Sequence, residues 1–391
     1  MDFRERPPEP SAHDPGTPLQ AAATVRPRLV SLRPCWGVVL LTALVGAGLL
    51  AWTYVTFQGQ VEAIFYVQGG TATTGWAGYD GQFVYAMARD LNPRTVRLSL
   101  DVPAYRYQRI LLPLVAHGLS RGHPAGILWA VWGVSLAAHL AATALWCRWW
   151  TRRGRPARWA LLYGLWPGLL LGLRLGLPDP LAYALGVMGL LWSREGRWTW
   201  GYLALLAAVF AKELTWAFVV AAVLDGWWRG ARRRALGVIL GVGLPWLAWQ
   251  AWLWRTFGQP GLAAGGWGAT PVPLYPLGGL MEVVLHLPPS WVAVYGLVFG
   301  PSLLVPLVLG AWWAWRRWRA GRRDAWTILL ALHVALGAWL PMSSWEPFAV
   351  FRVLTGLLVA FWAVALEEER FPLLRRITPF WIALLAFVVA R

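Results

Sequence analysis

The chain has 391 residues, of which 58% are hydrophobic and only 14% charged, against roughly 25% charged in a soluble globular domain, and this excludes an ordinary water-soluble fold. Its 35 Lys and Arg against 18 Asp and Glu give a net charge of +17, but the basic residues fall in clumps between long apolar runs, which is the pattern of membrane topology and not of a nucleic-acid-binding face. Cys35 and Cys147, each at the cytoplasmic-side end of an expected span, offer neither a disulfide framework nor a metal-ligand cluster.

Residues 1–34 hold seven prolines and few large apolar groups, too little to offset the entropy of ordering, so a disordered cytoplasmic tail is expected. No signal-peptide cleavage pattern is present there. The first span runs from Cys35 to about Phe57, long enough at about 1.5 Å per residue to cross a ~30 Å hydrocarbon core. Arg26, Arg28 and Arg33 hold its start in the cytoplasm, which makes 58–122 the first extracytoplasmic loop.

The later basic clumps, at 148–158, 194–197, 229–234, 316–323 and 370–376, serve as a ruler: if all lie inside, each interval contains an even number of crossings. The spans then read as 124–147, 159–177 with 179–193, 198–211 with 213–228, 235–254 with 291–315, 325–341 with 353–366, and a last run, 377–390. The expected fold is an all-α polytopic membrane protein over 35–391, with about ten or eleven transmembrane helices and short interfacial helices in the first outer loop. The stretch 198–228 also reads as one tilted helix, but only a hairpin keeps Arg194 and Arg229 on one side.

Polar chemistry concentrates in the outer connections. In the first loop, Tyr79-Asp80-Gly81-Gln82 leads a helical pattern containing Tyr85, where Asp80 either caps backbone N–H groups or faces a ligand. Arg106 and Arg109, three apart, share a helix face and either meet an anion or snorkel toward headgroups. Lys212, the sole lysine, and Glu213 interrupt the apolar stretch 201–223; such a pair is costly unless it is paired or lines a wet cavity, which makes it a functional-site expectation. Asp179 sits at another outer apex with Arg174 one turn before it, where a helix cap is equally consistent. Ser344-Trp345-Glu346-Pro347 and Arg352 precede the tenth span. Glu282 and His286, four apart, do not make a metal site alone, and His139 and His333 read as hydrogen-bonded packing residues within spans.

Tyr79-Asp80-Gly81-Gln82 just after the first span and Arg106-Tyr107-Gln108-Arg109 before the second resemble the GT-C class of integral-membrane glycosyltransferases implicated in bacterial cell-surface glycopolymer formation. The resemblance implies a GT-C-like fold with a cavity open to the outer leaflet, a polyprenyl-phosphate-linked sugar donor, and a glycan, lipid or protein acceptor in the plasma membrane. It places Asp80 at the catalytic acidic position. Tyr79, Gln82, Tyr85, Arg106, Tyr107, Gln108, Arg109, Asp179, Lys212, Glu213, Glu346 and Arg352 are then substrate-binding, and Trp76 and Trp267 are candidates to stack on sugar rings.

The chemistry fits these residue types independently: transfer to a hydroxyl needs a group to take the acceptor proton, and a departing lipid phosphate needs a fixed cation. The second acidic residue frequent in the class falls on Asp90 or Asp101. Neither is adjacent to Asp80, so the sequence does not support a diacidic metal site; no cofactor is assigned, and a divalent metal stays open. The alternative function is a transporter or flippase of a lipid-linked glycan, although no paired repeat is evident.

Overall fold

The structure, a computed structural model, describes residues 33–67, 79–265 and 269–389. Over these the regular structure is helical, with no strands. Trp76 and Trp267 lie outside the described residues. Among the described residues, five helices are long and apolar enough to cross a membrane: α1 (Arg33–Thr56, of which Cys35–Thr56 is the apolar part), α5 (Pro124–Thr151), α10 (Arg232–Phe257), α12 (Pro289–Arg319) and α15 (Phe371–Val389). Between α1 and α5 lie α2 (Gly81–Arg89), α3 (Pro103–Tyr107) and α4 (Leu111–Ser120). Next come α6 (Pro167–Arg174), α7 (Asp179–Arg194), α8 (Trp198–Ala211) and α9 (Trp216–Trp228). Later in the chain come α11 (Gly278–His286), α13 (Ala325–Ala338) and α14 (Thr355–Glu367), the last preceded by the short helix Pro347–Val353 that carries Arg352. The ten or eleven crossings expected from hydropathy therefore resolve into five full-length apolar helices and several shorter ones packed among them.

The breaks follow local chemistry. The expected span 159–177 splits into Leu161–Gly164 and α6, because Pro167 begins a new helix and forces Trp166 before it into extended backbone (φ −63°, ψ 119°). The stretch 198–228 is a hairpin and not one helix. Lys212 is extended (φ −161°, ψ 131°), and a single 3-10 turn, Glu213–Thr215, follows. The Thr215 hydroxyl donates to the Lys212 carbonyl at 2.7 Å, which holds the turn. Trp198 at the start of α8 packs on Gly226 near the end of α9, so the two helices run antiparallel.

Short loops between helices make neighbours of α7 and α8, α9 and α10, and α12 and α13, while α5 packs on α1 and α7. The core these contacts enclose contains fully buried tryptophans, among them Trp146, Trp326 and Trp362. His139 donates to the Gly164 carbonyl at 2.9 Å and His333 to that of Leu329 at 3.0 Å, both buried in this packing.

The basic clumps meet at one end of the bundle. Arg148 and Arg152 face Glu195 at 3.8 and 3.5 Å, and Arg194 faces Glu367 at 3.9 Å. Arg317 joins Asp324, Glu367 and Glu368 at 2.6, 2.7 and 3.4 Å. The cysteine reading is corrected here: Cys35 and Cys147 form a disulfide, with Cα atoms 5.8 Å apart. The start of α1 and the end of α5 come together at this same end, and that brings the two thiols into register.

From this end α7, with 16 residues, reaches about 24 Å back to Asp179. In parallel, α14, with 13 residues, leads about 20 Å back toward Arg352. The residues singled out for chemistry lie at the end opposite the arginine clumps.

Candidate active site

A cavity of about 530 Å³ opens at that far end. Its walls come from separate parts of the chain: Asp80 at the head of α2, Asp101 and Arg106 at α3, Lys212 and Glu213 at the α8–α9 apex, and Arg352 before α14.

Glycine at position 81 is what lets α2 begin here. A Cβ on Gly81 would run into the Leu175 carbonyl oxygen in the connection that leads to Asp179, so only a bare backbone brings the Asp80 loop against that strand of chain. We expect Gly81→Ala to lower stability by roughly 1–3 kcal/mol, the usual cost of overpacking. A thermal melt of the detergent-solubilised chain with an unchanged midpoint would refute this.

The charges are arranged in pairs. Asp101 takes both the Nε and the Nη2 of Arg106 at 2.7 Å each, and the remaining arm, Nη1, reaches Asp80 Oδ1 at 3.1 Å. Arg109 makes a two-armed pair with Glu213 at 2.8 and 2.5 Å and also donates to the Tyr105 hydroxyl at 2.5 Å. Lys212 Nζ meets Asp179 Oδ1 at 2.5 Å, and Arg352 Nη1 meets its other oxygen at 3.4 Å. Two cations thus share one carboxylate held behind the cavity wall.

Flat faces fix the guanidiniums. Arg106 lies 4.2 Å from the Phe83 ring centre and 5.0 Å from that of Tyr105, and Arg352 lies 5.2 Å from that of Tyr79. Of the ion-paired carboxylates at the cavity, Asp80 is the most open. Its side chain is 37% exposed, against 2% for Asp101, 2% for Asp179 and 17% for Glu213.

Burial pushes the Asp80 carboxyl up, but Arg106, followed by Arg352, Arg109 and Lys212, outweighs burial and holds it below its usual range. The fold therefore favours the ionised form. The stability this contributes is present above the unfolded pKa of about 3.9 and is lost as pH falls through the lower folded value. We expect the melting midpoints of the wild type and Asp80→Asn to converge on acidification through that window; a gap that persists or widens would contradict the assignment. Burial also drives the Tyr79 hydroxyl up to about 12, against the opposing pull of Arg352. Glu346, another lining carboxylate, is raised by burial.

The structure distributes the sequence-derived residues unevenly. Tyr79, Asp80, Gln82, Arg106, Arg109, Lys212, Glu213, Glu346 and Arg352 line the cavity. Asp179 stands directly behind Lys212 and Arg352, and it ion-pairs where a helix cap was the other reading. Asp80 makes no side-chain capping bond to α2.

Three residues lie elsewhere. Tyr85 stacks on Phe65 and donates to Glu62 at 3.4 Å. Tyr107 is packed against Phe257 and donates to the Leu91 carbonyl at 2.9 Å. Gln108 is buried against Gly261. Arg106 and Arg109, read as meeting an anion or snorkelling toward headgroups, pair with different carboxylates, Arg106 with Asp80 and Asp101 and Arg109 with Glu213. Arg174 turns away from Asp179 to the Val388 carbonyl at 2.6 Å, with Trp52 5.2 Å from its guanidinium. His286 donates to the Glu282 carbonyl at 2.6 Å.

Sequence reasoning did not give a site role to Tyr105 or Ser343, and it named Asp101 only as a candidate second acidic residue of the class. Their signal was present, an acid five residues before Arg106 and an aromatic four before Arg109, but pairing at those spacings depends on where α3 begins. The 255–290 loop also reaches the site. Ala269 lines the cavity, and Thr270 and Ser343 exchange bonds, N–H to hydroxyl, at 3.2 and 3.0 Å. Among the described residues no set of three His, Cys, Asp or Glu side chains gathers as metal ligands.

No protein-family model, curated protein or solved structure matches this chain.

Proposed function

We propose that this chain is a membrane glycosyltransferase of the GT-C kind, which moves a sugar from a polyprenyl-phosphate donor to the hydroxyl of a glycan, lipid or protein acceptor. The observation that carries the reading is the cavity itself: an accessible carboxylate, Asp80, lines it together with Arg109, Lys212 and Arg352. Such a transfer needs both partners at once, a base for the incoming hydroxyl and cations for the outgoing phosphate.

In this scheme Asp80 accepts the acceptor's proton as its oxygen attacks C1. The C1–phosphate bond breaks, and the lipid phosphate leaves with the electron pair toward Lys212, Arg352 and Arg109. A single displacement inverts the anomeric centre. The arginine clumps at the opposite end of the bundle support a cytoplasmic placement for that end under the positive-inside rule, with the cavity facing outward from the plasma membrane.

The test uses the full chain in lipid vesicles with a labelled polyprenyl-phosphate hexose and a panel of acceptors. Labelled product made by the wild type and lost in Asp80→Asn, with the variant's melting profile retained, is the expected result. Movement of the labelled lipid across the bilayer without sugar transfer would replace this reading with a flippase.

A further inference from the structure

Asp101 occupies a position whose geometry reaches Asp80 without touching it. Its carboxylate is buried, takes two of Arg106's three donor positions at 2.7 Å each, and also accepts the Val102 backbone N–H at 2.7 Å. That last bond ties it to the start of α3, the same short helix that carries Arg106. The guanidinium is further held between the Phe83 and Tyr105 rings. Only Nη1 is left to face the cavity, and it meets Asp80 at the longer distance of 3.1 Å with that carboxylate still 37% exposed. A planar guanidinium prefers a two-armed pair. Arg106 gives that pair to Asp101, and so Asp80 receives a single arm.

We infer that Asp101 is a positioning residue for Asp80: by claiming Arg106's fork it fixes the place of the Asp80 carboxylate and keeps it open to an acceptor hydroxyl. The inference rests on the transferase reading of the same cavity. Without the Asp101 charge, Arg106 swings its fork to Asp80, binds it with two arms, and draws it away from the acceptor while making it a weaker base. The other groups facing Asp80 are unchanged by this: Arg352, Arg109 and Lys212 as cations, Tyr79 and Tyr105 as hydroxyls, and Glu213, Asp179 and Glu346 as further acids of the same cavity. The step concerned is the loss of the acceptor O–H proton to an Asp80 oxygen as the new C1–O bond forms and the C1–phosphate bond breaks.

The test compares wild type, Asp101→Asn and Asp101→Glu as full chains in lipid vesicles. For Asp101→Asn we expect kcat to fall about 100-fold, the cost of a misplaced reacting group, with KM for the lipid-linked donor unchanged because Lys212 and Arg352 are untouched. The acid limb of its kcat–pH profile moves to lower pH, and Asp101→Glu, which restores the fork's partner, recovers much of the rate. A fall in kcat with the acid limb in place, or a KM that rises in step with it, would overturn the inference.

A readout free of catalysis separates the two proposals. The infrared carboxyl band that disappears in Asp80→Asn is titrated in the absence of substrate, and in Asp101→Asn its midpoint must shift to lower pH. An unmoved midpoint ends the positioning role even if sugar transfer is confirmed. A moved midpoint in a chain that transfers no sugar ends the transferase reading and keeps the Asp101–Asp80 coupling. If Asp101→Asn does not fold, Asp101→Glu carries the same titration with the opposite expectation, a midpoint near that of the wild type.

Discussion

Asp80→Asn is expected to lower turnover by about 10²- to 10⁴-fold, the range general-base groups contribute, while leaving the affinity for the lipid-linked donor near that of the wild type. Asparagine keeps the shape and one oxygen for Arg106 Nη1 but has no basic site for the acceptor proton. The pair it weakens is a single-armed contact at 3.1 Å to a carboxylate 37% exposed, so the loss of stability at neutral pH is small. Single-turnover transfer measured against donor binding distinguishes the roles. A variant that transfers sugar at full rate removes Asp80 from the reaction, and one that loses donor binding in proportion makes it a ligand of the donor and not the base.

The second large effect concerns Arg109 and Glu213, paired one to one at 2.8 and 2.5 Å with side chains 12% and 17% exposed. Arg109→Met leaves a carboxylate stranded at the apex of the α8–α9 hairpin, and removing one partner of such a buried pair costs about 3–5 kcal/mol. In Arg109→Met/Glu213→Leu no charge is stranded, and apolar replacement of a buried pair is often neutral, so most of that stability returns. Under the proposed reaction, sugar transfer does not return with it, because one of the three cations assigned to the phosphate is gone. Two melts and one transfer assay decide the matter. A double variant as unstable as the single denies the coupling, and a stable double variant with wild-type transfer denies Arg109 its place at the donor.

Where charge is expensive, the sequence was readable. Lys212-Glu213 inside an apolar stretch announced both the hairpin apex and a polar cavity, and the arginine clumps marked one end of the bundle before any coordinates. Asp80, Arg109, Lys212 and Arg352 share a cavity for the same reason, since charges in an apolar fold are costly unless they are paired or line a wet cavity. Facing within short helices was less legible. α2 is buried over most of its length, and sequence adjacency groups Tyr85 with Asp80 although it turns to Phe65, while Tyr107 and Gln108 beside Arg106 turn into packing. α3, at five residues, is too short for periodicity to reveal its face. The cysteine pair and the Arg174–Val388 contact depend on axial register between helices far apart in sequence, which no local pattern records.

The cavity's cations each already lean on an acid, Arg106 on Asp101, Arg109 on Glu213, and Lys212 with Arg352 on Asp179. Their fields cancel a few ångströms out, so chloride or free phosphate drifting past in the surrounding water feels little attraction. A molecule gains these cations only by entering far enough to trade places with an internal carboxylate, and under the proposed reaction the donor's long hydrophobic tail, anchored in the adjacent bilayer, supplies the residence time that such an exchange requires.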